Sequence, residues 1–157
     1  MTTVEPIIVV VDTREQEPYA FDPRELAVVR RALPAGDYSL DGHEAALAIE
    51  RKALEDFVAS VIRDRDRFGR ELHLFSGYEL ACVVVEASVE DILAHRYRSG
   101  AHPNSVFGAT LSIIVDLGVP VFFCGDRQIA CRFVAGLLLR YHRKVKDRCD
   151  PPPTDRA

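Results

Sequence analysis

The sequence predicts a mixed α/β fold, and three observations carry that prediction. Two continuous apolar runs, Pro6 to Val11 and Glu79 to Glu86, are rich in Val or Ile and have the length of strands buried on both faces. Elsewhere apolar residues recur at helical spacing: Leu54, Phe57, Val58, Val61 and Ile62, then Ile129, Phe133, Val134, Leu137, Leu138 and Tyr141. Glycine and proline punctuate the joins, at Pro34-Ala35-Gly36, Ser76-Gly77, Gly118 and Gly125-Asp126. At 157 residues, 48% hydrophobic and 28% charged, the chain has the make-up of one globular domain with a core of its own.

Taken in order, the first strand ends at Asp12, at the carboxyl end where sites in open sheets lie. Glu17 to Pro23 holds two prolines with Tyr19 and Phe21 and reads as an irregular connection. Pro23 to Leu33 stays open: Leu26, Val29, Arg30 and Leu33 fit a helix face, and an extended segment is the alternative. After the Gly36 turn come two short strand candidates, around Asp37-Tyr38-Ser39-Leu40 and Ala48-Ile49-Glu50-Arg51-Lys52. Alternation along a strand puts Glu50 and Lys52 on one face and Arg51 on the other. A tight loop on Asp41-Gly42 would set Asp37 opposite Ala46, more than about 10 Å from Glu50 at roughly 3.3 Å per residue. A longer loop over about Asp41 to Glu44 sets Asp37 opposite Ala48 or Glu50, on the face of Glu50, and is the expected arrangement.

The helix after Lys52 carries Asp56 in its first turn, where the dipole stabilises a carboxylate. Arg63, Arg65, Arg67 and Arg70 follow, interleaved with Asp64 and Asp66, and Phe68, Leu72, Leu74 and Phe75 continue an apolar face. Glu79 to Glu86 is the second buried strand, with Glu86 at its end facing either the same cleft or solvent. Ser88 caps a short helix through Leu93. Arg96 to His102 is a surface loop; His95 and His102 lack an acid or histidine partner at ligand spacing. Pro103 to Leu117 reads as a helix with Val106, Phe107, Leu111, Ile114 and Val115 on its apolar side. Val119 to Cys124 reads as a strand, and the last helix ends on basic Arg140, His142, Arg143 and Lys144. From Asp147 the proline run predicts a disordered tail, so a domain over 1–146 and a tail over 147–157 are expected.

Asp37, Glu50 and Lys52 converging on one point have the chemistry of metal-assisted phosphodiester hydrolysis. Mg²⁺ takes one or two carboxylates, several waters and a phosphate oxygen. A lysine beside them orients water and offsets charge developing on the phosphate. A generic Asp…Glu-x-Lys is more often a solvated hairpin, but the fuller string is specific. Gly36-Asp37, Glu50-Arg51-Lys52 and Asp56, with an upstream Asp12-Thr13-Arg14-Glu15, resemble the signature of the XPF-type nuclease domain. That resemblance implies a restriction-endonuclease-like, PD-(D/E)XK fold and a metal-dependent endonuclease acting on branched or flap-like DNA in repair or recombination. It implies Mg²⁺ or Mn²⁺ held by Asp37 and Glu50, with Asp12 as a third candidate and a backbone carbonyl near Arg51. Lys52 would position water; Asp12, Glu15 and Asp56 would support the metal and water; Arg14 and Arg51 would hold phosphate or brace the carboxylates. A nearby lysine or metal is expected to keep those carboxylates ionised. Arg63, Arg65, Arg67, Arg70, Arg96 and Arg98 are the expected nucleic-acid contacts. The resemblance spans about Ile7 to Lys144, implies a homodimer through the C-terminal helix, and includes no helix-hairpin-helix pattern, so DNA targeting would fall to a partner protein, a second subunit or the nuclease surface itself.

Composition narrows the remaining classes. The net charge of −4 does not advertise a nucleic-acid binder, so contact with DNA must rest on local patches. Cys82, Cys124, Cys131 and Cys149 have no C-x-x-C spacing, which argues against zinc and suits a reduced, cytoplasmic setting, nucleoid-associated in a prokaryote. No apolar run reaches membrane-spanning length, and no phosphate-binding glycine loop follows a strand. The alternative function is a non-catalytic DNA-binding or scaffolding subunit, against which five matched polar residues argue.

Overall fold

The computed structural model describes residues 4–151. Among these the chain forms β1 (Ile7–Val11), β2 (Leu26–Arg30), β3 (Tyr38–Leu40), β4 (Leu47–Lys52), α1 (Leu54–Ile62), α2 (Arg65–Leu74), β5 (Leu80–Val85), α3 (Val89–Leu93), α4 (Pro103–Asp116), β6 (Val121–Phe123) and α5 (Arg127–Cys149). The strands make one mixed sheet in the order β2-β1-β3-β4-β5-β6. β1 is parallel to β2, β3 is antiparallel to both β1 and β4, and β4, β5 and β6 run parallel.

Strand alternation divides the sheet between two cores. Val9, Val11, Leu47, Ile49, Cys82 and Val84 pack with Ala130, Val134, Leu138 and Tyr141 of α5. Ala48, Val83 and Val85 pack on the other face with Phe57, Val58 and Val61 of α1, Phe68 and Leu72 of α2, and Val106 and Ile113 of α4. Each such large side chain, fully buried, contributes roughly 1.5–3 kcal/mol. β5 is buried on both faces, which is why its sequence reads as an unbroken apolar run.

Five local expectations sharpen or change. Pro23–Leu33 contains a strand: Val28 and Val29 pair in parallel with Val9 and Val10, so β2 is an edge, buried at Leu26 and open at Val28. The helix after Lys52 is two helices, broken at Arg63-Asp64, with a 3₁₀ turn over Phe75–Gly77 after the second. The strand expected over Val119 to Cys124 spans Val121–Phe123. On α4 the expected apolar side is wrong in part: Leu111, Ile114 and Val115 are exposed, and Val106, Thr110 and Ile113 are buried. A threonine can take the inner face because its hydroxyl donates to the Val106 carbonyl at 2.9 Å. Finally, Asp147, Arg148 and Cys149, expected in the tail, belong to α5, whose last turns are held by Lys144 and Arg148 at 3.6 and 2.6 Å from Glu79. The tail from Pro152 to Ala157 lies outside the described residues.

Candidate active site

The site is built around a glycine turn. Gly36 has φ +75°, and a Cβ there would meet Ala48 Cβ and the Ile49 backbone N and O at 3.2 Å. Glycine makes the turn without strain and lets the chain pass close to β4. The next residue, Asp37, donates its N–H to the Ile49 carbonyl at 2.8 Å and accepts from the Asp12 N–H at 2.9 Å. Tyr38 pairs with Ile49, so one step back along the antiparallel ladder Asp37 lies beside Glu50. Residues 41–46 form the longer connection that this register requires.

Along β4, Glu50 and Lys52 follow Ala48 toward the α1–α2 face. With Asp37 they line a cleft of about 410 Å³ whose other wall is α2, through Arg67, Phe68, Glu71, Leu72 and Leu74, and which extends to Asp12 and Arg14. Lys52 Nζ lies 3.6 Å from Glu50 Oε1 and 5.0 Å from the centre of the Phe68 ring, so the ammonium is held between a carboxylate and an aromatic face. Asp37 Oδ2 accepts the Arg51 N–H at 2.8 Å, and Oδ1 has no protein donor among the described residues.

Charge in this cleft is out of balance. Burial first, then the Glu15 charge, pushes the Asp37 carboxyl up to about 6, against the Arg51 N–H and the charges of Lys52 and Arg51. Burial and the adjacent Asp37 push Glu50 up to about 8, with Glu71 adding to the rise and Lys52 opposing it. Of the two expected sources of ionisation, a lysine or a metal, Lys52 supplies only part of the compensation. Two hard oxygen donors with unmet negative charge fit a divalent cation. No group of three acidic, histidine or cysteine side chains among the described residues is arranged to hold a metal, so a cation here would depend on Asp37, Glu50 and water.

The other motif residues are placed differently. Asp12 lines the cleft, yet its Oδ2 accepts from the Arg14 N–H and Nε at 3.1 and 2.8 Å and its Oδ1 from the Leu33 N–H at 2.8 Å. Burial raises its pKa, the hydrogen bonds from Arg14 and Leu33 outweigh that, and the net shift is downward. Asp12 therefore braces its loop while also lining the cleft. Arg14 is exposed at the cleft's edge. Arg51 points to the α5 face, where Nε and Nη2 each donate to Glu15 at 2.9 Å and Nη1 donates to Glu86 at 2.8 Å; it braces and does not face phosphate. Asp56 is exposed in the first turn of α1 and does not line the cleft.

The arginines divide as well. Arg67 lines the cleft of Asp37, Glu50 and Lys52, whereas Arg65 and Arg70 line a separate hollow of about 650 Å³ between α2 and α4. Arg63 is exposed at the α1–α2 break, 3.8 Å from Asp64. Arg98 is exposed on a loop anchored by its N–H to Glu55, and Arg96 is paired with Glu90 and Asp91. Sequence reasoning missed Glu71, although its place one turn after Arg67 and beside Leu72 put it on the same helix edge. It also missed Tyr19 and Arg127, which meet Glu86 at 2.8 and 3.3 Å; no pattern in the sequence links them.

The ERCC4 domain family model matches residues 11–137. A Methanocaldococcus jannaschii protein provisionally named an ATP-dependent RNA helicase is 34% identical over 123 residues, 78% of this chain but 14% of that protein. Two solved structures of XPF from Aeropyrum pernix, one in complex with DNA, are similar at TM-scores of 0.66 and 0.63, with 23% and 24% identity. They cover 91% and 88% of this chain and 69% and 66% of theirs. The mixed sheet flanked by helices is thus the restriction-endonuclease-like fold expected from the motif. Among the described residues no helix is long and apolar enough to cross a membrane.

Proposed function

The chain belongs to the ERCC4 domain family, and on that premise we propose that it is a divalent-metal-dependent DNA endonuclease acting on branched or flap-like DNA. The observation that carries the reading is the shared cleft of Asp37, Glu50 and Lys52, where two half-buried carboxylates stand together with too little positive charge. Asp37 and Glu50 would hold Mg²⁺ or Mn²⁺. A bound cation supplies Lewis-acid polarisation of the phosphate and a water of lowered pKa. Lys52, fixed between Glu50 and Phe68, orients the attacking water and donates to the phosphate oxygens as charge builds on them. Arg67 and Arg14, at the cleft, would meet the flanking phosphates, and the exposed Arg63, Arg65, Arg70 and Arg98 are further candidate contacts. The DNA complex of the Aeropyrum pernix protein supports DNA as the ligand of this fold.

The reading extends to a second copy of the chain on the outer edge of α5. Ala130, Val134, Leu138 and Tyr141 are spent on the core, but Ile129, Phe133 and Leu137 line a groove with Arg132 and Gly136. Sedimentation of the protein as a monomer at micromolar concentration would remove this part of the reading.

Cleavage of end-labelled splayed-arm, flap and plain duplex DNA in Mg²⁺ and Mn²⁺ tests the activity, with Asp37→Ala alongside. Incision near the branch, lost in that variant, is the expected result. Metal binding without cutting on any of these substrates would favour a DNA-binding or scaffolding subunit instead.

A further inference from the structure

We propose that Glu71 is a positioning residue for the cation: it holds the hydration shell on the side of the cleft that Asp37 and Glu50 leave open. This inference rests on the metal reading of the same cleft. Asp37 and Glu50 come from one wall, at the end of β3 and on β4. Asp12, the other carboxylate at that end, accepts protein donors at both oxygens and lies on the sheet side of the cleft as well. A magnesium-like ion keeps several waters in a near-octahedral shell, and those waters need acceptors on the opposite side. That side is α2.

The local structure of α2 fixes what it offers. Phe68 and Leu72 are buried and anchor the helix to the sheet. Arg67 and Glu71, each one residue before an anchor and four apart, lie along the cleft-lining edge of the helix. Arg67 does not neutralise Glu71; its ion-pair partner is Asp64, at 4.0 Å. Glu71 has no hydrogen-bond or ion-pair partner among the described residues, and its charge bears on Glu50 across the cleft. An exposed carboxylate aligned with an anionic cleft raises the local negative charge, which is unfavourable without a cation and favourable with one. The position is outside the matched motif, so it would tune affinity for the ion without changing the ligands that touch it.

The test is Mn²⁺ binding to the full chain by titration calorimetry and by electron paramagnetic resonance of the free ion. Wild type, Glu71→Ala, Glu71→Gln and Asp37→Ala would be compared, with the metal-free melting temperature of each. Outer-shell carboxylates are worth about 10–100-fold in metal affinity. Glu71→Ala should weaken Mn²⁺ binding within that range, and Glu71→Gln, which keeps an acceptor oxygen, should weaken it less. Neither should lower the metal-free melting temperature, because Glu71 is exposed and supports no core contact. Wild-type affinity in Glu71→Ala, with binding lost in Asp37→Ala, would overturn this inference and leave the metal centre standing. Absence of Mn²⁺ binding by the wild type would overturn both.

Discussion

Glu50, Arg51 and Lys52 are consecutive on β4, yet the two faces of the strand meet opposite conditions. On the α5 face, Arg51 is 8% exposed and satisfied by two carboxylates, Glu15 at 4% and Glu86 at 7%. Glu86 is shared further with the Tyr19 hydroxyl and Arg127, whose guanidinium lies over the Tyr19 ring and donates to the Glu17 carbonyl. Burial pushes Glu15 up, but the Arg51 hydrogen bonds outweigh it and the net shift is downward. On the α2 face, Asp37 and Glu50 are pushed up, and Lys52, with the Arg51 N–H and charge at Asp37, answers them only in part. One face carries a closed network that holds the loop after β1 against β4 and the start of α5. The other holds a deficit of positive charge. A motif written as three adjacent letters therefore performs two tasks, and the charge balance on each face tells which residue performs which.

The largest expected effect comes from breaking the satisfied face. Arg51→Ala would leave Glu15 and Glu86 buried without their main partner, and removing one member of a buried ion pair costs about 3–5 kcal/mol. For a chain of this size that is a fall in melting temperature on the order of 10 °C. A melting curve within 2 °C of wild type, roughly what 1 kcal/mol would cause, would mean that the network is ornamental and the comparison fails. On the other face, Lys52→Ala should leave the fold and the metal-induced rise in melting temperature in place and reduce cleavage by about 10²–10³-fold, the cost of losing one charge-stabilising donor. Undiminished cleavage in that variant would remove Lys52 from the chemistry.

Much of this division is legible in the sequence, because alternation is a property of any strand. Alternation alone places Glu50 and Lys52 together and Arg51 opposite. The β3–β4 register is legible only through chemistry: the pattern allows a tight loop, and the need for Asp37 to meet Glu50 selects the longer one that the pairing of Tyr38 with Ile49 shows. What cannot be read is which acids Arg51 finds, since Glu15 and Glu86 lie 36 and 35 residues away and reach it only through the sheet order. Asp12 is partly legible for a related reason. Its spacing marks it as important, but its hydrogen bond from the Leu33 N–H, 21 residues on, is visible only in the structure. On α4 the helical period is right and the face is wrong in part, because a buried Thr110 is invisible to a pattern built on apolar letters.

A smaller effect, of opposite sign, follows from the unsatisfied face. In the metal-free folded chain burial pushes the Asp37 carboxyl up to about 6, and burial with Asp37 beside it pushes Glu50 up to about 8, against ordinary values of about 4.3 for Glu and 3.9 for Asp when unfolded. Between those limits the folded state binds more protons than the unfolded one, so stability falls as pH rises. The contribution of these two groups is fully present below about pH 4 and is lost as pH climbs through 6 and then 8. Without metal, the melting temperature should therefore drop between pH 5 and pH 8. Glu50→Gln removes the larger of the two shifts, keeps the shape and withholds the charge. It should flatten the upper part of that slope and raise the metal-free melting temperature at pH 8 by a few degrees, at about 2–4 °C per kcal/mol. Saturating Mn²⁺ should stabilise the wild type strongly at pH 8 and the variant little, so the order of the two is expected to reverse when metal is added. A variant less stable than wild type at pH 8 without metal would show that Glu50 is held by contacts that outweigh its charge, and that the α2 face is as well satisfied as the other.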